Sequence, residues 1–211
     1  VPALKAPPFT EAVRYWIKTV AMDRHMDGWV VGRKDSRTEA KDKKHALSMD
    51  VLGVAGEVAF ALTWGIPWEP KLRHFKGMDA DFTPDPLLGP TGIEVKTTDY
   101  ARVLSISDMD IDKNPARFHW GVYRDSDLVY WVMGYIIPDL VRDREHTRPH
   151  FRDIPEADLI PASTIIELDY PASTWDVGEQ EPQVATSSTG TATPKPSQPL
   201  PTIHGSSLPA G

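Results

Sequence analysis

The sequence predicts an α+β fold: a central mixed β-sheet flanked by helices, followed by a disordered tail. Three observations carry this. Two helical segments come first. A run of short β-branched and aromatic stretches follows them instead of alternating with helices. All seven tryptophans precede residue 177, so residues 1–176 are the expected folded domain.

The 211 residues carry a formal net charge of −7, with 40% hydrophobic and 25% charged side chains. Those proportions are ordinary for a soluble globular protein, and the length suits one domain. The absence of cysteine excludes disulfides, thiolate zinc sites and a cysteine nucleophile. There is no run of about 18 uniformly apolar residues, so no transmembrane span is expected. The opening VPALKAPPF lacks a signal peptide's apolar stretch, so a cytoplasmic setting is expected.

Thr10 suits a helix N-cap and Glu11 its first turn. Val13, Trp16, Ile17 and Val20 then follow a helical stripe. Residues 33–44 form a charged connection with six basic and three acidic side chains. A second helix is expected over residues 46–64, with Val51, Leu52, Ala55, Val58, Ala59 and Leu62 on its apolar face. Gly53 and Gly56 each cost this helix about 1 kcal/mol against alanine. The expected return is close backbone approach to a neighbouring sheet. Gly65 is placed to end the helix, with Pro67 beyond it.

Strands are expected at 78–83, 92–98, 102–106, 118–123 and 128–137. The connection PDPLLGPT separates the first two, and a short helix is expected over 139–144. Residues 177–211 hold no aromatic side chain, only three charges (Glu179, Glu181, Lys195) and six prolines. Such a stretch buries too little apolar surface to offset the entropy of ordering it. Pro196 and Pro199 form a PxxP, a short pattern common in such tails.

The sharpest chemical feature is IEVKTT. On a strand, Glu94 and Lys96 project to one face, and Ile93, Val95 and Thr97 to the other. An acidic residue two before a lysine also occurs at Glu39–Lys41, Asp42–Lys44 and Glu69–Lys71. The first two lie in the hydrophilic connection and the third spans Pro70. Only Glu94–Lys96 sits in a β-branched strand with another acidic strand, GMDADF, just upstream. If the two strands form a hairpin centred between Leu87 and Leu88, Asp81 lies opposite Glu94 and Asp79 opposite Lys96. Like charges opposed across a sheet are destabilising unless neutralised, and a hard divalent cation would neutralise them. Glu57, alone among the apolar residues of LGVAGEVAFAL, is either turned to solvent or used, and it could reach the same metal if its helix packs on the sheet.

Together LGVAGEVAF, DADF, IEVKTT and LVYWVMGYI followed by IPEADLIPAS resemble the PD-(D/E)XK nuclease superfamily, especially its small phage-type members. The resemblance covers residues 45–163, with four segments in the family's order. It implies a restriction-endonuclease-like core, with Asp81 and Glu94 as metal-binding carboxylates and Lys96 as the catalytic lysine. Glu57 becomes the helix carboxylate that some members use as a further ligand. A literal Pro-Asp occurs at Pro84–Asp85, but Asp85 stands between two prolines in the expected turn. The implied cofactor is Mg²⁺, with Mn²⁺ as a substitute, and the implied partner is DNA, RNA remaining open. The metal would polarise the phosphate and activate water, while Lys96 would orient or help deprotonate that water.

Net charge speaks mildly against nucleic-acid binding. Local charge differs: residues 33–44 carry a net +3, and Lys71, Arg73 and Lys76 add three positives. The expected activity is therefore a Mg²⁺-dependent deoxyribonuclease of phage or mobile-element origin. The alternatives are a dimeric Holliday-junction-type nuclease and a non-catalytic DNA-binding or phage interaction protein on the same fold. Outside this context, Glu94–Lys96 would be an exposed ion pair worth little. His146 and His150 are spoiled as a helical metal pair by Pro149, and the tryptophans are expected in packing.

Overall fold

The computed structural model describes residues 3–30, 43–69, 80–113, 115–125 and 128–166. The expected tail, Asp79, Lys71, Arg73, Lys76 and most of the charged connection lie outside the described residues.

The protein is α+β, with a mixed sheet flanked by helices. The elements run β1 (Leu4–Lys5), α1 (Glu11–Val30), α2 (Lys43–Trp64), β2 (Ile93–Thr98), β3 (Val103–Ser107), α3 (Asp108–Lys113), β4 (Phe118–Arg124) and β5 (Tyr130–Ile136). After these come α4 (Pro138–Arg142), β6 (Phe151–Pro155), a 3-10 turn at Glu156–Asp158, β7 (Ile160–Pro161) and α5 (Ser163–Ile166).

Thr10 caps α1 as expected: its Oγ1 accepts the Val13 N–H at 3.3 Å, and its carbonyl accepts that of Arg14 at 3.0 Å. Ile17, Val20 and Ala21 are buried, but Trp16 departs from the expected core stripe and stays 46% exposed. Its wide ring lies at the border of the stripe, edge-on to Trp68 at 5.1 Å between centroids.

Helix α2 is buried on more than its expected face, since Val54, Phe60 and Ala61 join Leu52, Ala55, Val58 and Ala59 in the interior. The segment Ala46–Trp64 has a mean hydropathy of 1.5, enough by length and composition alone for a membrane span. Half of it is buried within the protein, the pattern of a core helix. Gly65 ends it at φ +61°, and the Ile66 N–H closes back to the Ala61 carbonyl at 3.1 Å.

The main sheet has the order β1-β5-β4-β2, with β7 also paired to β5. β2 and β4 are parallel, from Ile93↔Phe118 to Thr98↔Tyr123, and the other pairs are antiparallel. β3 and β6 make a separate antiparallel pair. Helices α1 and α2 pack on one face of the main sheet with Ile93, Val95, Trp120, Val122 and Val132. The β3–β6 pair, α3 and α4 form a second core with Met133 and Ile136 on the other face. A bulge shifts the β4–β5 register after Gly121. Gly134 beside it has φ +155°, and a Cβ there would fall 2.3 Å from the Ile160 carbonyl oxygen. Glycine is what lets β7 reach β5.

One expected strand is corrected. Among the described residues of 78–83, only Phe82 pairs, through a single antiparallel bridge to Ile93. Beyond that bridge the Asp81 carboxylate takes the Val95 N–H that the next rung would use, and on the other side Pro84 has no N–H to give to the ladder.

Candidate functional site

Among the described residues β2 is the last strand of its sheet, and its outer edge meets the approaching Phe82. The bridge exchanges both backbone bonds, Phe82 N–H to the Ile93 carbonyl at 3.3 Å and Ile93 N–H to that of Phe82 at 3.4 Å. This register is the one centred between Leu87 and Leu88. The next rung of a continuing hairpin would carry the Val95 N–H to Ala80. Instead, the Asp81 carboxylate accepts that N–H through Oδ2 at 2.8 Å. Asp81 is thereby pinned beside Glu94 at the strand edge.

Strand alternation separates the rest, as the sequence predicts. Ile93 and Val95 are buried under α2, and Glu94 and Lys96 share the opposite face with each other and with α3. Lys96 Nζ donates to Glu94 Oε1 at 2.9 Å and to Asp110 Oδ1 at 3.0 Å. Arg117 donates to the other Glu94 oxygen at 3.1 Å. His119, register partner of Glu94 on β4, is buried, and its Nδ1 has no hydrogen-bond partner among the described residues.

These charges set one another's protonation. Burial alone would lower the Lys96 pKa, but Glu94, Asp110 and Asp81 outweigh it and raise it above the usual lysine value. Lys96 therefore stays an ammonium at neutral pH. As an ammonium it can orient a water or stabilise negative charge. Burial would raise Asp110, but Lys96 and Ser107 hold its carboxyl down to about 2. Burial, with Lys96 adding to it, pushes the His119 imidazole down to about 4, so the ring is neutral.

Glu57 has a different set of partners from the one expected. It is buried on α2, which packs on the Ile93 and Val95 face, away from Glu94 and Lys96. Arg24 grips both its oxygens at 2.7 and 2.8 Å, and the Trp68 indole donates to Oε2 at 3.1 Å. This placement sets Glu57 with Arg24 and Trp68 rather than with Asp81 and Glu94, where the expectation had it. Asp85 serves the turn. Its Oδ1 accepts the Leu87 and Leu88 N–H groups, both at 2.9 Å, and its backbone pairs with Gly89. His146 and His150 both approach Asp108, at 2.8 and 3.5 Å.

Asp110, Arg117 and His119 are absent from the set the sequence singled out. Asp110 had a legible signal, because Ser107-x-x-Asp110 is a capping box opening a helix. Arg117 and His119 had none, since neither forms a spacing pattern with Glu94.

The donor set bears on a divalent cation as follows. Asp81 and Glu94 bring hard oxygen donors to one strand edge. Among the described residues, no three His, Asp or Glu side chains form a closed metal cage. Mg²⁺ is commonly held by one or two carboxylates and completed by water and substrate phosphate, a number that Asp81 and Glu94 could supply. Comparison with family models, with curated proteins and with solved structures gave no match.

Proposed function

We propose that the protein is a metal-dependent deoxyribonuclease that hydrolyses phosphodiester bonds, on a PD-(D/E)XK-type core. The reading rests on one geometry: Lys96 held at 2.9 Å from Glu94 on a strand edge where Asp81 is also fixed. Glu94, Lys96 and the upstream Asp81 are the residues the family resemblance assigns to cleavage.

A bound Mg²⁺ would act as a Lewis acid on the phosphate and lower the pKa of a coordinated water. Asp81 and Glu94 would hold it, and their fixed positions at the strand edge would set where the phosphate lies. Lys96 would donate to a phosphate oxygen or orient the attacking water, and its charge would offset the charge gathered in the transition state. Arg117, already 3.1 Å from Glu94, would keep that carboxylate turned toward the site. The phage-type resemblance extends the proposal to a phage- or mobile-element-borne enzyme.

The test is cleavage of supercoiled, linear and single-stranded DNA, and of RNA, by the full chain with Mg²⁺ or Mn²⁺. Asp81→Ala and Lys96→Ala are each expected to abolish metal-dependent cleavage. Full activity in both variants would sink the mechanism.

A second reading is favoured by one observation. Both oxygens of Glu94 already meet cations, Lys96 and Arg117, so its charge is compensated by the protein itself. The network would then be structural, and the protein a non-catalytic DNA-binding module. Mg²⁺-independent DNA binding with no cleavage of any substrate would select that reading.

A further inference from the structure

We propose that Asp110 is the positioning residue for Lys96, aiming the one ammonium N–H left over by Glu94 and Asp110 at the substrate phosphate. This deepens the nuclease reading and rests on it.

Asp110 is held by its own helix. Ser107, the last residue of β3, donates its N–H to Asp110 Oδ2 at 3.2 Å and its hydroxyl to the same oxygen at 2.6 Å. The Asp110 N–H returns to Ser107 Oγ at 3.2 Å. The reciprocal cap uses Oδ2 and fixes the plane of the carboxylate, so the place of Oδ1 is set by the β3–α3 junction. That remaining oxygen receives Lys96 Nζ at 3.0 Å.

An ammonium has three N–H donors and no acceptor. Glu94 takes one and Asp110 another. Glu94 sits on the same strand as Lys96, so their pair alone would let the ammonium swing about the carboxylate. Asp110 comes from a different element, and two bonds to independently anchored oxygens leave the tetrahedral nitrogen one direction for its third donor. Lys96 is thereby converted from a flexible point charge into a directed donor. Capping alone would not need the Oδ1 contact, because Oδ2 satisfies the helix.

Two readouts on the full chain test this. The first is the ¹H–¹⁵N spectrum of lysine ammonium groups, with the Lys96 signal identified by its loss in Lys96→Arg. The second is steady-state cleavage of linear duplex DNA with Mg²⁺. Asp110→Asn keeps an oxygen for the cap but removes the charge. It is expected to lose the Lys96 signal to water exchange and to lower kcat about tenfold, with KM within about twofold, as for one lost charge-assisted hydrogen bond. Asp110→Glu, which preserves both cap and charge, is expected to restore part of both.

An Asp110→Asn variant with signal and kcat unchanged overturns the proposal. So does a lost signal with unchanged kcat, or a wild-type protein with no protected Lys96 signal. If the wild type cleaves nothing, the nuclease reading fails separately, and the ammonium signal still decides whether Asp110 holds Lys96.

Discussion

Gly56 on α2 meets Thr97 on β2 so closely that an added Cβ would fall 1.7 Å from the threonine Oγ1. The contact seats the helix on the sheet, and it is the close approach that a glycine in this helix implied. Gly53, three residues earlier, has nothing within 4 Å of its own added Cβ. The two glycines should therefore respond in opposite directions. Gly56→Ala should destabilise the fold by about 1–3 kcal/mol through overpacking. Gly53→Ala should stabilise it by about 1 kcal/mol through helix propensity. Urea unfolding of both variants checks this, and equal effects would refute the packing of α2 on β2.

Glu57 should behave as the partner of Arg24. Breaking a buried ion pair from one side leaves an unpaired charge, so Glu57→Gln should cost about 3–5 kcal/mol. The double variant Arg24→Met with Glu57→Leu should recover much of that loss. Mg²⁺ binding by any folded Glu57→Gln protein should equal the wild type. A folded variant that has lost metal binding would return Glu57 to the metal set.

The acid limb of stability should show two steps. His119 titrates near 4 in the fold against 6.5 for the unperturbed group, because burial and then Lys96 disfavour its charged form. The unfolded chain takes that proton first, so stability falls as pH drops from about 6.5 through 4. Asp110 is held near 2 against 3.8. Its contribution, about 1–2 kcal/mol after solvent screening, is present above about pH 4 and lost as pH falls toward 2. Between pH 7 and 2, urea midpoints of His119→Leu should lack the upper fall, and those of Asp110→Asn should show a smaller lower one, because Asp108 and Asp153 are also held below the usual carboxylate range. A variant whose own fall is undiminished would show that its residue does not carry the linkage.

Metal binding should follow Glu94 and not Asp85. Calorimetric titration with Mg²⁺, alone and with a non-cleavable DNA analogue, should show binding in the wild type and its loss in Glu94→Ala. Asp85→Asn keeps a side-chain oxygen for the turn and should bind as the wild type does. Equal binding by wild type and Glu94→Ala would make these carboxylates structural and favour the non-catalytic reading.

Much of the candidate site was legible because it follows from short-range rules. Two-residue alternation put Glu94 and Lys96 on one face and buried Ile93 and Val95 on the other. The supposed hairpin centre between Leu87 and Leu88 is obeyed by Phe82↔Ile93, while Asp85↔Gly89 in the turn is centred on Leu87. Thr10 and Gly65 mark helix ends by capping rules that act within one turn. Asp81 was legible as a neighbour of Glu94, but its grip on the Val95 N–H was not, since it replaces the strand pairing that the pattern implies.

By itself the sequence determined the α+β class and the face of β2 that bears Glu94 and Lys96. Only the tertiary structure decided what those charges touch. Lys96 and Asp110 are 14 residues apart, Glu94 and Arg117 are 23, and Arg24 and Glu57 are 33. Backbone periodicity and turn geometry act over a few residues and leave their mark in spacing. An ion pair depends on which elements pack together, and the long charged side chains that form it meet wherever the fold carries them.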